Sequence, residues 1–234
     1  MVMGISYSPR IVTDGLVLCL DAANARSYPG TGTTWTDLKD ENNGTLTNMD
    51  AANFSADNRG LLTFDGSNEY VELPGITNFL SDLEEFTVSM WVNLASVNTT
   101  QFIYGVCSEN GFGDSDGVFE FNITSSAVLS FQASRFGSGD QINLVTASTN
   151  TWYHLCGRRS GTTQADGFLN GVLVGSDTSV GTNNDSVNNK HRIGRPNQDT
   201  RYFNGKTSGV LLYNRFLSDG EILQNYLATK GRYK

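Results

Sequence analysis

The chain has 234 residues, a formal net charge of −8 and a pI of ≈ 4.7, so its surface is acidic. That balance argues against nucleic-acid binding, which is driven by cations that neutralise phosphates, and favours solubility. No apolar run is long enough to span a bilayer, and the opening MVMGISYSPRIVTDG lacks a basic-then-apolar leader pattern. Membrane insertion and secretion are therefore not expected, and synthesis in a cytoplasm is.

One β-sandwich suits this length. The 13 Phe and 9 Tyr are enough large side chains to fill its core, and 25 Gly against 4 Pro gives many turns without a linker composition. Residues 1–10 show no strand periodicity and read as an N-terminal arm, of the kind that frays or lies along a neighbour. Residues 11–234 read as one domain. Gly15 to Asp21 (GLVLCLD) is a first strand, apolar on consecutive positions. Ala22 to Asn48, mostly Gly, Thr, Asn and Asp, reads as long surface loops anchored by Trp35 and Leu38.

Leu61 to Phe64 and Tyr70 to Leu73 flank Asp65-Gly66-Ser67-Asn68 and read as a tight hairpin. Phe86 to Val92 alternates most cleanly, with Phe86, Val88, Met90 and Val92 against Thr87, Ser89, Trp91 and Asn93. Phe102 to Cys107, Val118 to Ile123, Val128 to Ala133, Ile142 to Val145 and Thr151 to Cys156 follow as strands. Asn170-Gly171, between Phe168-Leu169 and Val172 to Val174, is the strongest hairpin signal. Thr178 to Asn189 reads as a mobile loop and His191 to Gly194 as a short strand. Asn204-Gly205 carries a type I′ turn signal ahead of a strand from Thr207 to Tyr213. Ser218 and Glu221 form a capping box. The helix it starts has Ile222, Leu223, Tyr226 and Leu227 as its apolar stripe, and Gly231 fits its C′ position. Many short strands with close turn signals and no internal repeat predict an all-β sandwich. Cys19, Cys107 and Cys156 sit in apolar, strand-like runs at spacings that suit no metal. They are expected to be buried free thiols, with a disulfide between two of them as the alternative.

Four stretches, in order, resemble laminin-G-like domains of the concanavalin A-like lectin/glucanase superfamily. They are LTFDGSNEYVELP, EFTVSMWVN, WYHLCGRRSGTTQADGFLNGVLVGS and YFNGKTSGVLLYNRFLSDGEILQNY. The resemblance implies two antiparallel sheets in jelly-roll order, closed by one short C-terminal helix. The opening IVTDGLVLCLDAANARSYPGTGTTWTDL, with NNGTLTN after it, is similar to such domains in virion proteins of tailed bacteriophages, marine ones especially.

Candidate sites are of three kinds. Glucanases of this superfamily carry a Glu-x-Asp-x-x-Glu pattern that places acids on one strand face. It is absent here, so the chain is expected not to be an enzyme, and a glucanase ranks last. His154 reads as a packing or hydrogen-bonding residue. For metal, no cofactor is expected; the resemblance makes one calcium the alternative, and Asp65 matches the Asp of the family's FDG hairpin. Thr207-Ser208-Gly209 stands where many relatives have an Asp pair. Asp114 and Asp116 lie in a loop resembling half of an EF-hand, but Phe112 and Ile123 hold its first and last ligand positions. That loop reads as a turn, with calcium as the alternative. For ligands, Trp91 on its strand's polar face could stack on a sugar, or lie under a loop or the C-terminal helix. Trp35 could be a ligand platform or a loop pin. Lys190, His191, Arg192, Arg195 and Arg201 form a basic cluster that could meet an acidic partner or an anionic glycan, or be a solvated loop.

The resemblance thus leads us to expect a virion structural protein, an outer capsid decoration protein bound to the major capsid protein. A carbohydrate-binding or adhesion module of a tail, recognising host-surface glycans, is the alternative.

Overall fold

Alternation along Glu85–Leu94 turns Phe86, Val88, Met90, Val92 and Leu94 to one side, none more than 2% exposed. Thr87, Ser89, Trp91 and Asn93 turn to the other. The structure, a computed structural model, describes residues 9–39, 42–76, 85–107, 118–133, 141–181, 190–196 and 200–233. Its first strands are β1 (Leu16–Asp21), β2 (Thr34–Trp35), β3 (Gly44–Thr47), β4 (Phe54–Ser55), β5 (Leu61–Asp65), β6 (Tyr70–Glu72), β7 (Glu85–Leu94) and β8 (Gln101–Cys107). Then come β9 (Phe119–Ile123), β10 (Val128–Gln132), β11 (Gln141–Thr146), β12 (Trp152–Ser160), β13 (Gln164–Leu169), β14 (Val172–Asp177), β15 (Lys190–Ile193) and β16 (Asn204–Tyr213). One helix, α1 (Asp219–Thr229), follows β16.

Two eight-stranded antiparallel sheets result. The first has the order β14-β13-β12-β7-β16-β5-β4, with β1 also paired to β16; the second has β11-β10-β9-β8-β15-β6-β3-β2. Their facing sides enclose one core, in which Phe64, Phe86, Phe119, Phe121 and Phe131 are almost wholly inaccessible. This is the expected all-β sandwich with one short C-terminal helix. None of the described helices is long and apolar enough to cross a membrane.

A smaller core lies on the outer side of the first sheet. There Cys19, Cys156, Phe168 and Tyr213 pack under Val12, Leu217 and Ile222. Asn225 ties these pieces together: its side chain accepts from the Val12 N–H at 2.8 Å and donates to the Tyr213 hydroxyl at 3.0 Å. Arg158 lies over the rings of Phe168 and Phe216, at 4.7 and 4.1 Å, and pairs with Asp166 at 2.7 Å. Cys19 and Cys156 are free and buried. Burial, with Asp21 and Asp37 nearby, pushes the Cys19 thiol up to about 12. The side chain of Cys107 and the loop 182–189 lie outside the described residues.

The capping box of α1 forms as its sequence dictates: Ser218 Oγ accepts from the Glu221 N–H, and Glu221 Oε2 accepts from the Ser218 N–H at 2.8 Å. Ser218→Ala is expected to lower stability by about 1 kcal/mol in urea unfolding, the usual loss for an N-cap.

Local signals misplace several details. Among the buried helix residues Asn225 stands beside Ile222, while Leu223 is 40% exposed. Gly231 sits within a short 3-10 turn, Lys230–Arg232, instead of a left-handed cap. Asn204-Gly205 is no turn but the start of β16, paired with Asp65 and Phe64. Its glycine is required by close approach, since a Cβ would meet the Asn93 carbonyl oxygen at 2.4 Å. Asp65 to Asn68 does not join a hairpin, because β5 belongs to the first sheet and β6 to the second. The Asp65 N–H donates to Glu69 Oε2 at 2.6 Å, the Ser67 N–H to Asp65 Oδ1 at 2.7 Å, and Gly66 takes φ +79°. These bonds form a corner that carries the chain across the sandwich. The loops expected over Ala22 to Asn48 include β2 and β3, which extend the second sheet.

Candidate functional site on the outer face of the second sheet

The register of the second sheet lines up one residue from each of seven strands. Thr45 faces Glu72, Glu72 faces Arg192, Arg192 faces Gly105, Gly105 faces Glu120, Glu120 faces Gln132, and Gln132 faces Gln141. Each is next in sequence to a core residue, among them Leu46, Val71, Ile193, Val106, Phe121, Phe131 and Ile142. Alternation therefore turns the whole row outward.

Its charged members are engaged. Arg192 donates to Glu72 Oε2 from Nη2 at 2.6 Å and from Nε at 2.9 Å, and Arg201 Nη1 donates to Glu120 Oε1 at 2.9 Å. Beside the row, Ser130 Oγ donates to Asn122 Oδ1 at 2.6 Å and accepts from Gln141 Nε2 at 2.9 Å. The two acids stand three strands apart, about 14 Å between backbones at roughly 4.8 Å per strand.

Access is uneven. The Glu120 side chain is 8% exposed and that of Glu72 is 25% exposed, so the row is covered in its middle and opens at Gln141 on β11 and again at its β6 end. Aromatic faces gather there. The guanidinium of Arg195 lies 5.0 Å from the Tyr70 ring and 5.3 Å from the Tyr202 ring, and that of Arg192 lies 5.2 Å from Tyr70. These are cation–π contacts.

The basic cluster read from the sequence thus divides. Arg192 and Arg195 share Tyr70, and Arg201 belongs to Glu120. His191 is not part of it, because alternation turns its ring inward, where it is 1% exposed. Burial lowers its pKa to about 3, so it carries no charge near neutrality.

Neither tryptophan is a sugar platform. Trp35 is 0% exposed and pins its loop within the core. Trp91 is 7% exposed, because the C-terminal segment covers it: its ring stacks on Tyr233 at 4.0 Å and Tyr226 at 5.7 Å, and its Nε1 donates to Thr229 Oγ1 at 2.9 Å. It borders a cavity of about 630 Å³ with Asp21, His154, Arg232 and Tyr233. Arg232 holds Asp21 through two bonds of 2.7 and 2.9 Å. His154 packs against Trp91 and Tyr226 as a neutral ring, its pKa lowered to about 3 by burial.

Asp65 serves its own corner through Ser67, and Asp114 and Asp116 lie outside the described residues. Among the described residues no group of three or more His, Cys, Asp or Glu could hold a metal ion. Sequence reading missed Tyr70, Glu72, Gln132 and Tyr202. Each lies in a readable strand or loop, but only the register assembles them.

Two packed antiparallel sheets with a polar outer face define a lectin-like β-sandwich. A sequence profile of the Concanavalin A-like lectin/glucanases superfamily matches residues 65–223, and the chain belongs to that superfamily. A search of curated protein sequences finds no match. Among solved structures the chain is similar to Trypanosoma rangeli sialidase in complex with the inhibitor DANA, with TM-score 0.72 and 16% identity, over 98% of this chain and 36% of the sialidase. It spans about a third of that protein's length. It is also similar to domain 4 of AbnA, a GH43 extracellular arabinanase from Geobacillus stearothermophilus solved with arabinotriose, with TM-score 0.62 and 18% identity, over 91% of this chain and 98% of that one. The expectation of a chain outside enzymology is corrected by these likenesses. Both neighbours come from glycosidases, so the fold is one that glycoside hydrolases carry.

Proposed function

We propose that this chain is a carbohydrate-recognition domain, and that sugar rings dock on the outer face of the second sheet at its β6 end. The observation that carries the reading is the juxtaposition of Thr45, Glu72 and Arg192 in one row with the rings of Tyr70 and Tyr202 around Arg195. Fork-shaped charged groups hydrogen-bond hydroxyls with defined geometry, and neighbouring ring faces supply apolar area; carbohydrate needs both. The superfamily and the arabinanase domain solved with arabinotriose support it.

Titration calorimetry with arabino-oligosaccharides, sialyllactose, and laminarin and agar fragments is expected to find a sub-millimolar ligand. Tyr70→Ala and Arg195→Ala should each weaken it about tenfold, roughly 1.4 kcal/mol. A folded wild type that ignores every sugar at millimolar concentration removes the reading, as does undiminished binding by the double variant. Release of reducing ends from any of these sugars by the wild type would add hydrolysis to recognition.

For its setting we propose the outside of a tailed-phage particle. The support is the opening segment, Ile11 to Leu38 with Asn42 to Asn48, which resembles virion laminin-G-like domains. The partners are then other virion proteins, the major capsid protein foremost, and host-surface glycans, with synthesis in the host cytoplasm. Antibody labelling of purified particles separates the placements. Label at capsid vertices or hexamer centres marks a decoration protein, label only at the tail marks adsorption, and unlabelled particles end the virion placement.

A further inference from the structure

The cavity of about 630 Å³ beside Trp91 lies on the outer side of the first sheet, away from the row proposed for sugar. The register builds its floor. Cys19 faces Leu211, Leu211 faces Ser89, and two residues further along β7 Trp91 faces His154. Alternation turns these side chains away from the main core. Ser89 is the smallest of them, so the floor is lowest there. The end of α1 and the residues after it, with Thr229 and Tyr233, form a wall.

Two polar atoms in this lining have no hydrogen-bond partner among the described residues: Ser89 Oγ and His154 Nδ1. Their residues are 3% and 2% exposed. Buried polar atoms in native proteins are nearly always hydrogen-bonded, so an occupant of the cavity is required to serve them. Ser89 faces Cys156, and His154 is two residues before it on β12. The two are therefore diagonal neighbours on one face, about 7–8 Å apart between backbones, and one polar group above them faces both. Ordered water alone does not suit the space. A water takes about 30 Å³ and is held by roughly 2–4 polar partners, whereas other polar groups here are engaged: Trp91 Nε1 with Thr229, Ser208 with Tyr233, and Asp21 with Arg232. The volume falls within the range of small-molecule pockets, about 300–1,000 Å³, which are mostly apolar with a few placed polar atoms.

Charge narrows the occupant. Both unpartnered atoms belong to neutral groups, since burial keeps His154 unprotonated near neutrality. Arg232 offsets Asp21 through two bonds, and Arg10, also at the cavity, is exposed to solvent. An ionic group carried to the floor would meet no countercharge, and burying an unpaired charge is costly. The aromatic rings of Trp91 and Tyr233 suit a flat molecule. We propose that this cavity binds an uncharged, largely apolar ring compound through a hydroxyl held by Ser89 and His154.

Titration calorimetry of the whole chain with 2-naphthol, uncharged at neutral pH, tests this, with anionic 2-naphthoate as its counterpart. The wild type is expected to bind 2-naphthol at sub-millimolar concentration and 2-naphthoate at least tenfold more weakly. Ser89→Ala should weaken 2-naphthol about tenfold, roughly 1.4 kcal/mol. Ser89→Leu fills the floor and should abolish binding. Ser89→Ala removes no side-chain hydrogen bond of the described residues, so it should keep the wild-type circular dichroism and decides the question even where leucine strains the sheet. Tyr70→Ala, on the other sheet, should lose sugar and bind 2-naphthol as the wild type does, which separates the two sites. A wild type that ignores 2-naphthol overturns the proposal, as do equal affinities for the two compounds. Undiminished binding by folded Ser89→Ala, with water alone on the two polar atoms, overturns it too, and so does loss of 2-naphthol binding in Tyr70→Ala.

Discussion

Arg158→Met should destabilise the protein by about 3–5 kcal/mol, the usual cost of leaving one member of a buried ion pair alone. Asp166 is 0% exposed and Arg158 is 6% exposed. Arg158 reaches Asp166 Oδ2 from Nε at 2.8 Å and from Nη2 at 2.7 Å. Its Nη1 donates to the Leu217 carbonyl just ahead of α1. Removing the guanidinium leaves that carbonyl and the carboxylate short of donors at once, with Gln164 Nε2 still on Asp166 at 3.0 Å. Methionine keeps the stem between Phe168 and Phe216, so lost packing contributes little. For a chain of this size the loss corresponds to a melting temperature lower by about 10 °C. The contact between Arg158 and Asp219 adds little, since that carboxylate is 64% exposed and such pairs are worth about 1 kcal/mol or less. The double variant Arg158→Met with Asp166→Leu should recover most of the loss, because apolar residues of similar volume often replace a buried pair at no cost. A single variant within about 0.5 kcal/mol of wild type would show that the pair is not structurally engaged.

This pair also illustrates how far the sequence could be read. The strands read from the sequence, Thr151 to Cys156 and Phe168-Leu169, stop short of both residues, and the legible turn at Asn170-Gly171 joins β13 to β14 instead of the β12–β13 pair that brings Arg158 to Asp166. Nothing local reveals that Phe168, Phe216 and the start of α1 close over them. The same limit applies to the sheets. Asp65 to Asn68 has the residues of a hairpin and builds a corner, because a tight bend looks alike whether its flanking strands pair or part into different sheets. Asn204-Gly205 has the residues of a turn and sits in a strand, because a glycine that lets a neighbouring backbone approach is indistinguishable in sequence from one that bends its own. At the candidate site the arginines were legible as a local run of charge. Glu72 and Glu120 were not, since they meet Arg192 and Arg201 from positions 120 and 81 residues away. Trp35 and Trp91 suggested platforms because exposed indoles bind sugars, yet exposure depends on what folds over a side chain. For Trp91 that is Tyr226 and Tyr233, more than a hundred residues downstream.

Acid should unfold this protein earlier than its carboxylates require. His154 and His191 are 2% and 1% exposed, and burial lowers each pKa from 6.5 to about 3. In the unfolded chain both bind protons near pH 6.5, whereas the folded chain refuses them until about pH 3. Stability is therefore complete above 6.5 and falls as pH drops below it. Each ring contributes about 1.4 kcal/mol per pH unit, so the pair gives a slope of about 2.7. Between pH 6.5 and 4.5 that is about 5 kcal/mol, comparable to the entire margin of many domains. Carboxylates held low by partners act in a lower window. Arg215 holds Glu221 at about 2 against an ordinary 4.5, so its contribution is lost only as pH falls below 4.5. Urea midpoints measured from pH 7.5 to 4.5 separate the two. His191→Leu and His154→Phe should each halve the slope in the upper window, and the double variant should flatten it there. His191→Leu should also raise stability at neutral pH, because both ring nitrogens of His191 lack a partner among the described residues and an unsatisfied buried polar group costs about 1–3 kcal/mol. A slope unchanged in the double variant would show that the rings accept protons while folded, and would overturn this account.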